Sequence, residues 1–117
     1  MSTYQQHLGK IGEFIACDYL IQKGYRIIDQ HVTSREGELD LVADQFGELV
    51  FVEVKTRSSV KFGSSEESIT TTKLKRLTSA IGTYISNYPE HTPYRLDCIC
   101  VFISNFKAEI SHYYSCG

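Results

Sequence analysis

No apolar run in this 117-residue chain approaches the roughly 20 residues that a membrane span requires. Met1 to His7 carries no basic stretch leading into an apolar one, so no signal peptide is expected. These absences point to a cytoplasmic protein with no membrane partner. Repeats and low-complexity linkers are also missing. With 42% hydrophobic and 22% charged residues, the chain reads as one globular domain, 1–117, with a modest core. No Cys-x-x-Cys pair occurs among Cys17, Cys98, Cys100 and Cys116, and His7, His31, His91 and His112 are scattered, which argues against a zinc site. A Cys98–Cys100 disulfide would be strained, so buried reduced thiols are expected. There is no Gly-rich phosphate loop behind a strand and no Ser/His/Asp or Cys/His constellation, which leaves a small-molecule α/β enzyme without support. The net charge of −2 gives no general endorsement of nucleic-acid binding.

What is present centres on residues 37–57. Glu38 to Asp44 alternates, placing Leu39, Leu41 and Ala43 on one face and Glu38, Asp40 and Val42 on the other. Leu49 to Val52 is apolar on both faces, as in a central buried strand. The strand then continues into Glu53, Val54 and Lys55, with Glu53 and Lys55 on one face. A two-residue turn at Phe46-Gly47 pairs Gln45 with Glu48 and, carried along the ladder, sets Asp40 opposite Glu53. Opposed Cβ atoms lie about 4.5–5.5 Å apart, where like charges destabilise. A divalent cation held by both carboxylates would compensate, with Lys55 assisting, and hard oxygen ligands suit Mg²⁺ or Mn²⁺. The plainer alternative is a hairpin whose carboxylates are solvated.

The flanking segments supply the rest of the fold. Residues 4–23 form a helix with an apolar stripe of Leu8, Ile11, Ile15, Ala16 and Tyr19, stopped near Gly24. Glu13 lies off that stripe with Ala16, Cys17 and Leu20 as helical neighbours. Gly12 would let the helix approach the sheet closely. Tyr25 to Val32 is a strand. Arg57 to Ser68 is Ser/Gly-rich, either a loop able to close beside the carboxylates or a plain connection. Residues 70–88 form a second helix on Leu74, Leu77, Ile81, Tyr84 and Tyr88, ended by Pro89 and Pro93. Tyr94 to Phe102 and Ala108 to Tyr113 are strands. Asp97 is expected to be structural, paired with Arg95 or a helix lysine, and Ser115 to Gly117 to fray. The order αβββαββ predicts an α/β fold with a mixed central sheet flanked by helices. Half of the twelve basic residues fall between Lys55 and Arg76, namely Lys55, Arg57, Lys61, Lys73, Lys75 and Arg76, against Glu66 and Glu67 alone. That stretch is either a phosphate-binding patch or an ordinary solvated helix start.

Asp40 followed by Glu53-Val54-Lys55 resembles the Asp…(Asp/Glu)-x-Lys signature of restriction-endonuclease-like nucleases. Three stretches carry a more specific likeness: Gly12-Glu13-x-x-Ala16-x-x-Tyr19-Leu20-x-x-x-Gly24-Tyr25, then Gly37-Glu38-Leu39-Asp40-Leu41, then Phe51-Val52-Glu53-Val54-Lys55-Thr56-Arg57 with Phe62-Gly63. Together they resemble the YraN-type family of bacterial endonuclease-like proteins, which is similar to archaeal Holliday-junction resolvases. The likeness runs from about residue 4 to 102. It implies a restriction-endonuclease-like fold and a metal-dependent endonuclease acting on DNA, branched DNA included. Glu13, Asp40, Glu53 and Lys55 would be catalytic. Mg²⁺ or Mn²⁺ would be held by Asp40, Glu53, Glu13 and the Val54 carbonyl, with Glu38 a secondary candidate. Arg57, Lys61, Lys73, Lys75 and Arg76 would contact nucleic acid. Resolvase-like relatives work as dimers, so a homodimer is part of the expectation. The competing reading is a non-catalytic module that keeps the fold to bind nucleic acid or a protein partner.

Overall fold

The computed structural model describes residues 3–58 and 70–116. Elements follow in the order α1 (Tyr4–Gln22), β1 (Arg26–Thr33), β2 (Glu38–Gln45), β3 (Glu48–Arg57), α2 (Thr71–Ile85), β4 (Tyr94–Ser104) and β5 (Lys107–Tyr113). This is the expected αβββαββ arrangement. The five strands form one mixed sheet in the order β1-β2-β3-β4-β5, in which only β3 and β4 run parallel. A parallel neighbour requires a crossover, and α2 is that crossover. No helix among the described residues is long and apolar enough to cross a membrane.

Each helix covers one face of the sheet. On the α1 face, Ala16, Leu20 and Tyr25 pack with Leu41, Ala43, Val50, Val52, Ile99 and Val101. On the α2 face, Leu77, Ala80 and Ile81 pack with Val42, Leu49, Phe51 and Leu96. β3 is buried on both sides, as its apolar start predicts. Phe46 (φ 54°) and Gly47 (φ 87°) both take positive φ, the signature of a type I′ hairpin turn. The turn sets the β2–β3 register as expected, from Gln45↔Glu48 to Leu41↔Val52.

Three expectations need correction. Leu39 packs on the α2 face with Val42, not with Leu41 and Ala43. The β2–β3 ladder ends at Leu41↔Val52, and beyond it β2 follows β1 alone through Val32↔Leu39, so strict alternation is lost where the strands part. On α1 the fully buried line is Gly12, Ala16 and Leu20, while Ile11 is 51% exposed. The helix lies so close to the sheet that its smallest residues, not its largest, form the contact. The chain end is also held: Ser115 N–H donates to Asp97 Oδ1 (2.9 Å) and Cys116 N–H to the Leu96 carbonyl (2.8 Å).

Gly12 makes the close approach possible. A Cβ there would fall 1.8 Å from Thr56 Oγ1 and 2.8 Å from Thr56 Cβ on β3. The clash involves a β-branched side chain on a buried strand, which cannot swing away cheaply. Gly12→Ala should therefore destabilise the protein by about 1–3 kcal/mol, despite alanine's higher helix propensity. A urea melt checks this, and an unchanged or raised midpoint would show that α1 has room to shift.

Candidate functional site

Where β2 and β3 part, the sheet opens into a cavity of about 520 Å³ lined by Glu13, Glu38, Asp40, Glu53, Val54, Lys73 and Arg76, among others. Asp40 and Glu53 lie one step beyond the last backbone pair of the ladder. In place of that pair, Asp40 Oδ2 accepts the Val54 N–H at 2.9 Å, and the Glu53 carboxyl lies close enough to raise the Asp40 pKa. Glu53 is 3% exposed. Its Oε2 is ion-paired with Lys73 Nζ. Lys73 stands in the first turn of α2, behind the N-cap Thr70, whose hydroxyl accepts the Lys73 N–H. The positive end of the helix dipole therefore adds to the ammonium beside Glu53.

The protonation balance follows from this crowding. Burial, then the charge of Glu53, pushes the Asp40 carboxyl from its ordinary 3.8 up to about 8, against the lowering effect of the Val54 N–H. Burial also raises Glu13, offset in part by His31 and reinforced by Glu38 and Glu53. Lys55 is lowered by burial and then by the neighbouring charges of Arg57 and Lys73.

Each expected site residue can be placed. Glu13, Asp40, Glu53, Val54, Lys73, Arg76 and the secondary candidate Glu38 come together around the cavity. Lys55 lies on the Glu53 face of β3, within reach of the charges of Glu53, Arg57 and Lys73, but does not line the cavity among the described residues. Lys75 is exposed on α2, away from the lining. Arg57 Nε is buried with no hydrogen-bond partner among the described residues. Lys61 and most of the Arg57–Ser68 connection lie outside the described residues. Among those described, no three His, Cys, Asp or Glu side chains are grouped so as to hold a metal ion. Asp40 and Glu53 meet, while Glu13 turns to His31, Oε1 to Nε2 at 3.2 Å.

Sequence reasoning missed His31. It pairs with Glu13 and lies 4.0 Å from Glu38 Oε1, and its φ of 52° is unusual for a non-glycine residue inside a strand. The Ile27/Asp29 bulge in β1, which no spacing rule signals, changes the strand's alternation just before it. At the other end of the sheet, Asp97 pairs with Arg95 as expected and also with His112, a partner the sequence did not reveal. Burial alone would raise Asp97, but hydrogen bonds from His112, Arg95 and the Ser115 N–H outweigh it and hold the carboxyl below its usual range.

A family model described as "Uncharacterised protein family UPF0102" matches residues 12–101. A UPF0102 protein of Syntrophomonas wolfei is 40% identical over 108 residues, 92% of this chain and 94% of that protein. One from Flavobacterium psychrophilum is 35% identical over 91% of this chain and 89% of its own length, and one from Thermodesulfovibrio yellowstonii is 40% identical over 80% and 84%.

Asp40 gives a pH signature. It is faced by Glu53 from β3, Glu13 from α1, Lys73 from α2, Glu38 on its own strand and His31 from β1. With its carboxyl raised from 3.8 to about 8, the folded protein holds a proton through that window that the unfolded chain has released. This contribution to stability is complete below the lower value, falls as pH rises and levels off above the upper. Asp40→Asn, which retains an acceptor for the Val54 N–H, should raise Tm relative to the unmodified protein at pH 8, by progressively less as pH falls, and change it little below about pH 4. Parallel Tm–pH curves for the two proteins would contradict the shift.

Proposed function

The chain belongs to the uncharacterised protein family UPF0102, and from that premise we propose that it is a divalent-metal-dependent endonuclease that hydrolyses phosphodiester bonds in DNA. The observation that carries this reading is the Asp40–Glu53 pair. Two opposed carboxyl groups meet at a cavity wall, one with its pKa pushed up to about 8 and the other ion-paired with the Lys73 ammonium. A site with this excess of carboxylate fits a hard cation, and the ammonium stands where a cation would be stabilised. Mg²⁺ commonly takes one or two protein carboxylates and completes its shell with water and phosphate oxygens, which suits a site where two carboxylates, not three, converge.

Asp40 and Glu53 are the proposed ligands of Mg²⁺ or Mn²⁺, with the Val54 carbonyl as a further donor and Glu13 acting through water. A bound ion would supply an activated water and would offset charge on the scissile phosphate. Glu13, oriented by His31, holds water on the α1 side of the cavity. Lys55 stabilises charge that develops on the phosphate oxygens. Lys73, released from Glu53, joins Arg57, Lys61, Lys75 and Arg76 as phosphate contacts, which position the substrate without reading its sequence. Arg57 Nε, buried and without a hydrogen-bond partner among the described residues, supports an anion at that end of β3. The likeness to Holliday-junction resolvases makes branched DNA the first substrate to try and a homodimer the assembly to look for.

The test is a cleavage screen over branched, nicked and single-stranded DNA with Mg²⁺ or Mn²⁺. Cleavage should be lost in Asp40→Asn and Glu53→Gln. Lys55→Ala should lower the single-turnover rate by about 10²-fold while DNA affinity stays within about twofold, because it acts only in the transition state. Lys73→Ala should weaken binding and reduce its salt slope by about one phosphate contact. If DNA is bound and no substrate is cut with either metal, the self-neutralised Lys73–Glu53 pair favours a non-catalytic binding module.

A further inference from the structure

Two of the chain's thiols meet at the end of the sheet opposite the β4–β5 turn. Cys98 is buried in β4, and Cys116 is exposed, three residues past the end of β5. Their Sγ atoms are 2.7 Å apart. The contact is built by the backbone. The Ser115 N–H is fixed to Asp97 Oδ1 and the Cys116 N–H to the Leu96 carbonyl, so the C-terminal segment is fastened to the two residues just before Cys98. Asp97 is in turn held by Arg95 and His112.

The separation selects the chemistry. Two thiolates on one tetrahedral zinc, each about 2.3 Å from the metal, would lie about 3.8 Å apart, so this pair is too close to share an ion. The contact is a thiol–thiol hydrogen bond, and two sulfurs already held in contact need close only to about 2.05 Å to form a disulfide. Neither other cysteine offers an equivalent. Cys17 lies on α1 and packs on the opposite face of the sheet, and Cys100 lies two residues along β4 from Cys98, where its β5 register partner is Ser111.

We propose that Cys98 and Cys116 are an oxidative modification site, a dithiol that low-molecular-weight disulfides convert to an intrachain disulfide. Cys116, the accessible thiol, loses its proton and attacks one sulfur of the small disulfide. The S–S bond breaks, and one small thiol leaves with the electron pair and takes up a proton. The Cys98 thiolate then attacks the Cys116 sulfur of the mixed disulfide and expels the second small thiol. The protein loses two protons and two electrons, and the small disulfide takes them up to become two thiols. The bond would sit one strand from the proposed metal site, since Cys98 is the β4 register partner of Glu53. It would covalently fix the C-terminal segment to the strand beside that glutamate.

The experiment uses the full chain, reduced and then exchanged into glutathione disulfide. Alkylatable thiols should fall from four to two, the intact mass should drop by two hydrogens, and peptide mapping should recover a Cys98–Cys116 link. The oxidised protein should melt about 10 °C higher, because the bond closes a loop in the unfolded chain. Cys17→Ser should form the same bond, and Cys116→Ser should retain three alkylatable thiols with no intrachain link. The proposal is overturned if all four thiols stay alkylatable, if the reaction stops at a glutathione adduct on Cys116, or if the link maps to another pair.

Discussion

The structure turns on an electrostatic constraint: two carboxyl groups are forced together where β2 and β3 separate. The Phe46-Gly47 turn sets the register, and the register leaves Asp40 and Glu53 no way to avoid each other without giving up the buried pairs from Leu41↔Val52 to Gln45↔Glu48. Like charges so placed are destabilising, and the neighbouring elements are arranged around that cost. Asp40 keeps its proton to about pH 8. The first turn of α2 delivers Lys73 to Glu53. The Val54 N–H, left without a strand partner, is taken by Asp40.

Two aspartates of the sheet, Asp97 and Asp40, show that this tension is local. Asp97 is 0% exposed, yet its carboxyl is held low because Arg95, His112 and the Ser115 N–H satisfy it as an anion. Asp40 has burial first, then the charges of Glu53 on β3 and Glu13 on α1 against its anion, with only the Val54 N–H in its favour, so its carboxyl is held high. Two residues of one type driven in opposite directions separate a structural site from a functional candidate. Asp97 ties β4 to β5 and the chain end, whereas Asp40 is held protonated beside Glu53 and is the residue on which the metal proposal turns.

Much of this was legible in the sequence where a rule of strict period or turn geometry applies. The two-residue turn gave the Asp40–Glu53 opposition, the 3,4 spacing of Leu74, Leu77, Ile81 and Tyr84 gave the buried face of α2, and Gly24 marked the end of α1, where its φ is 94°. Reasoning failed where geometry leaves the regular pattern. Leu39 changes face at the end of a ladder, His31 enters the site in a left-handed conformation beyond a bulge, and α1 buries Gly12 and Ala16 in preference to Ile11 because close approach overrides side-chain size. His112 and Cys116 reach Asp97 and Cys98 through contacts 15 and 18 residues apart in the chain, which no local signal encodes.

The most direct test is anomalous diffraction from crystals soaked in Mn²⁺ at pH 8. The account predicts one strong peak bridging Asp40 and Glu53 with Lys73 moved off Glu53, and no peak in Asp40→Asn crystals treated identically. A wild-type map with no peak between the two carboxylates and the Lys73–Glu53 pair intact would contradict it.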